Sequence, residues 1–285
     1  MNHIKVVLSG GLWFVGVPIG TARDITLRAL DVLASADVLV AEDTRSLRKL
    51  MDIHGVPLGE RWIEALHDHT KGNLVARLVA RARAGESVAY ASEAGMPLIA
   101  DPGFELARAA REAGVAVTCA PGPSAVLTAL VVGGQGTDAF HFAGFLPASR
   151  SARKAALADL MGVKATLVLY ESPKRLGALL GDAAAVFGAD RPASVCRELT
   201  KKFEETRQGT LGELADHYAS ASVKGEIVVL IGRGEAVAVN EKDIESALES
   251  ALRDMSVKDA AAFVAETLGV PKRQVYQQAL ALARD

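Results

Sequence analysis

The sequence predicts an α/β protein: two α/β domains followed by a small helical region. Short apolar runs at 12–15, 38–41, 88–91, 165–169, 193–196 and 226–231 have the length and composition of buried strands. Amphipathic stretches between them, at 24–35, 73–84 and 103–113, have the spacing of helices packed on a sheet. With 285 residues, half of them hydrophobic, the chain is long enough for two cores.

The stretch 87–103, SVAYASEAGMPLIADPG, is central to this organisation. Its strand ends abruptly at Ser92 and Glu93, and small residues, Met96-Pro97 and an Asp-Pro-Gly turn follow. Such residues at the carboxyl end of a strand let another molecule approach the backbone, which is where open α/β sheets bind ligands. Turn geometry alone would also call for Gly and Pro, but it does not explain Glu93 and Asp101 in an otherwise apolar segment.

Upstream, the strand at 12–15 leads into the loop GVPIGT at 16–21, which is neither GxGxxG nor a P-loop. Helix 24–35 follows, with Ile25, Leu27, Leu30, Val32 and Leu33 as its apolar face. The strand at 38–41 ends in Glu42-Asp43-Thr44-Arg45, residues that suit a helix cap and a functional role equally well. The sequence His67-Asp68-His69 is a poor match to zinc-ligand spacing and reads as polar surface beside a cleft. Helix 73–84 sets Leu74, Leu78 and Val79 against Arg77, Arg81 and Arg83.

Downstream, a strand at 115–119 turns at PGPS into an apolar helix at 125–132. Ser124 either caps that helix or marks a helix start whose N–H groups hold a polar ligand group. Composition shifts at 133–147, and the domain boundary is placed near Pro123, giving domains at 1–122, 123–235 and 236–285. Arg150, Arg153 and Lys154 form a local basic patch, suited to phosphates or simply a solvated face. Three further strands end in, or begin from, polar residues: Tyr170-Glu171-Ser172, Arg197-Glu198 with Thr200-Lys201-Lys202, and Lys224-Gly225-Glu226. So many polar strand ends point to one polar cleft between two α/β layers. Helices at 243–254, 257–268 and 271–284, the last opening on Lys272 and Arg273, resemble a small helix-turn-helix bundle that touches RNA or packs as a tail.

The net charge of −2 excludes a polycation, so a nucleic-acid partner must be met through local patches or shape. Cys119 and Cys196 lack metal-ligand or redox spacing and read as buried thiols in a reducing compartment. The uncharged run 113–137 is broken by Pro121-Gly122-Pro123 and Gly133-Gly134, so strand, turn and helix fit it better than a membrane span. The N-terminal residues do not form a signal sequence, and a cytoplasmic protein is expected.

Taken in order, the motifs VPIGT (17–21), AEDTR (41–45), LHDH (66–69), SEAGMPLIADPG (92–103), PGPSA (121–125), FLP (145–147), YES (170–172), RELTK (197–201) and KGEIVVLI (224–231) resemble the tetrapyrrole methylase superfamily. Within it they resemble the branch of bacterial small-subunit ribosomal RNA cytidine 2′-O-methyltransferases, over nearly the whole chain. There are departures: VPIGT stands for the family's TPIGN, Glu93 for an Asp, and Met96 for a Thr, which removes a hydroxyl. The resemblance implies mixed sheets in the two α/β domains and S-adenosylmethionine folded into the cleft between them. The cofactor would contact Pro18, Ile19 and Gly20; Ser92, Glu93, Ala94, Gly95 and Asp101; Ser124 and Ala125; and Tyr170 and Glu171. It further implies a homodimer that methylates a decoding-centre cytidine of 16S rRNA in the assembled small subunit. Candidates to take the 2′-hydroxyl proton are Glu42, Asp43, Glu198 and Glu226, with Arg45, Arg197 or Lys201 stabilising oxyanion charge or holding phosphates. No metal is implied. The alternatives are porphyrinoid C-methylation within the same superfamily and a non-catalytic S-adenosylmethionine-binding protein.

Overall fold

A computed structural model describes residues 2–66, 73–100, 103–221, 223–234, 241–268 and 270–282. The chain forms two compact units, Met1–Arg233 and Gly234–Asp285.

The larger unit opens with β1 (Gly11–Val15), α1 (Leu27–Ser35), β2 (Val38–Ala41), α2 (Thr44–Ile53) and β3 (Ile63–Ala65). It continues with α3 (Asn73–Arg83), β4 (Ser87–Ala91), α4 (Phe104–Glu112) and β5 (Val117–Ala120). The five strands form one sheet in the order β3-β2-β4-β1-β5, parallel throughout. Both faces of the inner strands β1, β2 and β4 are covered, which is why these three read as unbroken apolar runs. Val15, Leu39, Ala41 and Ala89 pack against α1 and α2, and Leu12, Phe14, Val40, Val88 and Tyr90 against α3 and α4. All of β4 is buried, and its Tyr90 meets Phe14 edge-on at 5.7 Å. The stretch taken as central from sequence is thus central in the sheet.

The expected helix at 24–35 is shorter. Thr26 caps it by accepting the Ala29 N–H at 3.1 Å, so α1 starts at Leu27 after a 3-10 turn at Ala22–Asp24. Cys196 is buried as expected, but Cys119 is exposed, because β5 is an edge strand with no neighbour beyond it.

Then follow α5 (Ala125–Gly133), β6 (Phe140–Phe145), α6 (Arg150–Asp159), β7 (Thr166–Glu171) and α7 (Leu176–Phe187). After them come β8 (Pro192–Arg197), β9 (Glu205–Thr210), α8 (Leu211–Tyr218) and β10 (Ile227–Ile231). Here the sheet is mixed, in the order β6-β7-β10-β8-β9, with only β6 and β7 parallel. The region 133–147, read from composition as a break, contains edge strand β6. A register irregularity between Phe142 and Gly144 interrupts its alternation. Strand β9, ETRQGT, carries no apolar pattern and is made a strand by pairing with β8.

Helix α5 belongs to this second sheet: Val126, Ala129 and Leu130 pack on Val168, Cys196, Val228 and Leu230. Ile19, from the loop after β1, inserts into the same cluster and ties the two sheets together. The opposite face, Leu167, Leu169, Val195, Val229 and Ile231, is closed by α6, α7 and α8.

The Arg150–Arg153–Lys154 patch is not an open cationic surface. Arg153 is buried, with Nε and Nη2 donating to Asp182 Oδ2 at 2.9 and 2.6 Å, and Arg150 Nε donates to Oδ1 at 3.1 Å. The spacing that suggested a phosphate site instead places two arginines on the buried acid of α7.

The smaller unit holds α9 (Glu241–Ala251), α10 (Val257–Leu268) and α11 (Lys272–Leu282) around Ile244, Leu248, Val264 and Val275. Ser256 caps α10 through its Oγ, which accepts the Asp259 N–H. Among the described residues no helix is long and apolar enough to cross a membrane.

Candidate functional site

In a parallel sheet every strand ends on the same edge, so the loops after β1, β2, β4 and β5 gather there. The loops after β1 and β4 are joined directly: the Val17 N–H donates to the Gly95 carbonyl at 2.9 Å, and the Gly95 N–H returns to Val17 at 3.1 Å. Ser92 Oγ donates back to the Gly95 carbonyl at 3.3 Å and closes the 92–95 turn. The loops after β1 and β5 touch at Gly16 and Gly122, where a Cβ on Gly122 would stand 2.8 Å from the Gly16 carbonyl carbon. The Met96 Sδ accepts the Gly122 N–H at 3.2 Å. Leu98 and Ala100 lie at φ 71° and 59°, a left-handed conformation costing on the order of 1 kcal/mol or more per residue and found where surrounding structure imposes it.

Facing these loops is one edge of the second sheet. Because β10 runs antiparallel to β7 and β8, Ile227 lies opposite both Glu171 and Arg197, so the ends of two strands and the start of a third coincide. Between the two edges is a cleft of roughly 370 Å³. Ile19, Ala94, Gly95, Ser124 and Ala125 wall it from one side, and Phe145, Tyr170, Glu171, Leu199, Glu226 and Val228 from the other. This size and this mostly apolar lining suit a small molecule with a flat or aliphatic body and a few polar groups. Tyr170 is set by edge-on contacts with Phe142 at 4.9 Å and Phe145 at 5.5 Å.

Glu171 is the buried acid of the cleft, its side chain 0% exposed. Oε1 accepts the Ser172 N–H at 2.7 Å and lies 3.1 Å from Arg175 Nε. Oε2 is buried with no hydrogen-bond partner among the described residues. Burying a carboxylate oxygen without a partner is costly. Ser124 caps α5, accepting the Leu127 N–H, and also lines the cleft.

At the mouth of the cleft stands a triad. Lys201 Nζ donates to Glu198 Oε1 at 2.8 Å and to Glu226 Oε2 at 2.9 Å, and the Glu226 N–H donates to the same Glu198 oxygen at 3.0 Å. Burial alone would lower the Lys201 pKa, but its two carboxylate partners raise it overall, so the ammonium stays charged. Lys201, followed by the Glu226 N–H, holds the Glu198 carboxyl below its ordinary range. Both Glu198 and Thr200 adopt positive φ, 52° and 64°. Gly225 lies at φ 94°, a conformation strained for other residues, and a Cβ there would stand 2.4 Å from the Glu198 side chain and displace it.

The remaining expected residues fall elsewhere. Pro18, Gly20, Ser92 and Glu93 line a second hollow of roughly 230 Å³ behind the same loops, shared with Ser46 and Lys49 of α2. Glu42 Oε2 accepts the Glu93 N–H at 3.1 Å. Asp43 caps α2 by accepting the Arg45 N–H at 2.8 Å, which lowers its pKa. Arg45 projects into a third groove. Arg197 is committed to Glu205, at 2.9 Å from Nη2. Asp101 and the 67–69 motif lie outside the described residues. Sequence reading missed Phe145, Leu199, Gly225 and Val228 as site residues, although each lies within or next to a motif it had noted.

Fold and site together define an α/β protein whose two sheets enclose a cleft for a small molecule. The chain belongs to the tetrapyrrole (corrin/porphyrin) methylases, whose family model matches residues 11–215. Residues 238–283 match the model of the RsmI C-terminal HTH domain. Among named relatives, the chain is 45% identical to the ribosomal RNA small subunit methyltransferase I of Mesorhizobium japonicum, over 96% of this chain and 93% of that protein. It is 42% identical to the protein of the same name from Mycobacterium tuberculosis, over 97% of both. Of solved structures, uroporphyrin-III C-methyltransferase from Thermus thermophilus complexed with S-adenosylhomocysteine shares the fold at a TM-score of 0.55. That match is 20% identical and covers 78% of this chain and 97% of that one.

Proposed function

We propose that this chain is an S-adenosylmethionine-dependent methyltransferase that modifies the 2′-oxygen of a decoding-centre cytidine in small-subunit ribosomal RNA. The observation that carries this reading is the near full-length match to proteins named ribosomal RNA small subunit methyltransferase I, which extends through the C-terminal HTH segment. That segment and those names favour RNA over a porphyrinoid substrate. The working division of the chain is 1–122, 123–235 and 236–285, with the first two parts enclosing the cofactor and the third available to RNA.

S-adenosylmethionine supplies a methyl group on a sulfonium leaving group. The residues of the cleft fit such a molecule: an apolar wall of Ile19, Phe145 and Val228 for its body, backbone at Ala94, Gly95 and Ala125, and the unpaired Glu171 oxygen for a donor. Glu171→Gln is expected to weaken cofactor binding roughly ten- to a hundredfold, the worth of one hydrogen bond to a charged group. Isothermal titration would measure it, and unchanged affinity would remove Glu171 from the cofactor site.

The 2′-hydroxyl must lose its proton as it becomes a nucleophile, and Glu226 at the cleft wall accepts it. Lys201 steadies Glu226 and offsets negative charge developing on the oxygen. Glu198, engaged by Lys201 and a backbone N–H, anchors that lysine. Holding oxygen and methyl group in line contributes on the order of 7–11 kcal/mol, so orientation is the larger share of the work.

A cytoplasmic homodimer completes the reading. Supporting it is the outer face of α5, where Leu127 and Val131 are exposed one turn apart, Val131 at 82%. Val131→Asp is expected to shift the sedimentation coefficient from dimer to monomer with the far-UV spectrum unchanged. A variant that stays dimeric moves the interface elsewhere.

The function is tested by transfer of labelled methyl from S-adenosylmethionine to small subunits unmethylated at the site and to naked rRNA. Label in one 2′-O-methylcytidine of the decoding centre, strongest on subunits, supports the proposal. Tight cofactor binding with no transfer to either substrate overturns it.

A further inference from the structure

The cleft leaves an exposed tryptophan unexplained. Trp62, just ahead of edge strand β3, is 67% exposed, although an indole stabilises a fold most when it is covered. It lines an open groove with four cationic side chains, Arg45, Arg48, Lys49 and Arg61, against a single acid, Asp52. In a chain of net charge −2 that is a local concentration of positive charge.

Two features show that the groove is ordered. Arg45, Lys49 and Ile53 are spaced at i, i+4 and i+8 along α2 and share one face, while Leu47 and Met51 of the same helix are buried. Arg61 faces inward: Nη1 donates to the carbonyls of Leu33 and Ala36 at 2.9 and 2.7 Å, Nη2 to Pro57 at 2.8 Å, and Nε to Leu58 at 3.0 Å. It clamps residues 57–61 onto the end of α1, so the backbone that carries Trp62 is held in advance of any ligand. Of the other cations, Arg48 is paired with Asp52, Arg45 has its Nε 3.5 Å from Asp43 Oδ1 with its side chain 91% exposed, and Lys49 makes no ion pair among the described residues.

The groove also leads to the cleft. Lys49 and Ile53 line both this groove and the hollow formed with Pro18, Gly20 and Glu93, and the neighbours of those residues, Ile19 and Ala94, wall the cleft. An aromatic face beside solvent-exposed cations is how proteins hold single-stranded nucleic acid, one stacking on bases and the other tracking phosphates. We infer that this groove binds the single-stranded RNA flanking the target nucleotide, with a base stacked on Trp62 and phosphates on Lys49 and Arg45. The inference rests on the reading of the substrate as ribosomal RNA.

The test uses the full chain and a single-stranded oligoribonucleotide of roughly ten nucleotides, within the span of known single-strand sites. Trp13 and Trp62 are the only tryptophans, and Trp13 Nε1 already donates to the Ser9 carbonyl, so quenching lost in Trp62→Phe reports on Trp62. The wild-type protein is expected to show saturable quenching that Trp62→Phe lacks. Trp62→Ala is expected to weaken oligonucleotide binding, and to raise KM for small subunits, roughly five- to a hundredfold. Lys49→Glu is expected to weaken binding and to reduce the slope of log K against log salt by about 0.7 or more. Both variants should keep kcat and cofactor affinity within about twofold, since a groove remote from the reacting atoms contributes uniform binding. Affinity, salt slope and KM all unchanged in both variants would overturn the inference. A raised KM with oligonucleotide binding intact would also overturn it, assigning the groove to a protein of the subunit. Because quenching is read without methyl transfer, failure of the substrate reading shows up separately, as oligonucleotide binding without transfer to rRNA.

Discussion

Glu226→Gln is expected to lower kcat for ribose methylation by roughly 10²- to 10⁴-fold while leaving cofactor affinity within about twofold, the signature of a lost proton acceptor. The four carboxylates that sequence offered for this role are separated by their partners. Asp43 spends its oxygens on the start of α2. Glu42 holds the Glu93 N–H. One Glu198 oxygen is shared by Lys201 and the Glu226 N–H, and its proton affinity is lowered accordingly. Glu226 alone of the four lines the cleft, with one oxygen tied to Lys201 and a side chain 74% exposed to an incoming ribose. Lys201→Met, which releases both acids, should lower kcat by a similar order. Single-turnover kinetics on small subunits would separate these losses from binding. A Glu226→Gln kcat within about threefold of wild type would assign the proton to another acceptor.

Asp182→Ala is expected to destabilise the larger unit by about 3–5 kcal/mol, because it leaves a buried arginine without its counter-charge. Arg153 and Asp182 are each 5% exposed at the side chain, and without the acid Arg153 keeps only the Ala148 carbonyl, at 3.0 Å. For a unit of this size that corresponds to a fall in Tm of roughly 10 °C, measurable by calorimetry. Replacing both residues by leucine should cost far less, since no uncompensated charge remains. A pH dependence follows from the same pair. Burial pushes the Asp182 pKa up, but hydrogen bonds from Arg153 and Arg150 outweigh it and hold it below the ordinary carboxylate value. A group with a depressed folded pKa contributes its full stability above its unfolded pKa, near 3.9, and loses it as pH falls through the folded value. Asp182→Asn should therefore flatten the stability profile below about pH 4 and leave its slope at neutral pH unchanged. A single variant as stable as wild type would overturn this account.

The inner strands of the first sheet were legible because both of their faces are covered, so burial is written as continuous apolar runs at 38–41 and 88–91, whereas the three-residue edge strand β3 was not. Edge strands β6 and β9 were not. Exposed on one side, they carry an irregularity at Gly144 or a polar sequence, and only pairing makes them strands. The helices of the smaller unit were legible from period alone, since each turns one apolar stripe to a shared core.

By itself, the sequence determined the α/β class, the central place of 87–103, the family, and the strand ends from which the site is built. These follow from local period, turn chemistry and ordered motifs, all carried by neighbouring residues. Only the tertiary structure decided what each polar group does. It turned Arg153 from a phosphate ligand into the partner of a buried acid, Asp43 into a cap, and Glu198 into the anchor of Lys201. It also left one buried oxygen of Glu171 without a hydrogen-bond partner among the described residues. A charged side chain takes its role from the partner it meets, and for Arg153 and Asp182 that partner is 29 residues away, beyond what local pattern can encode.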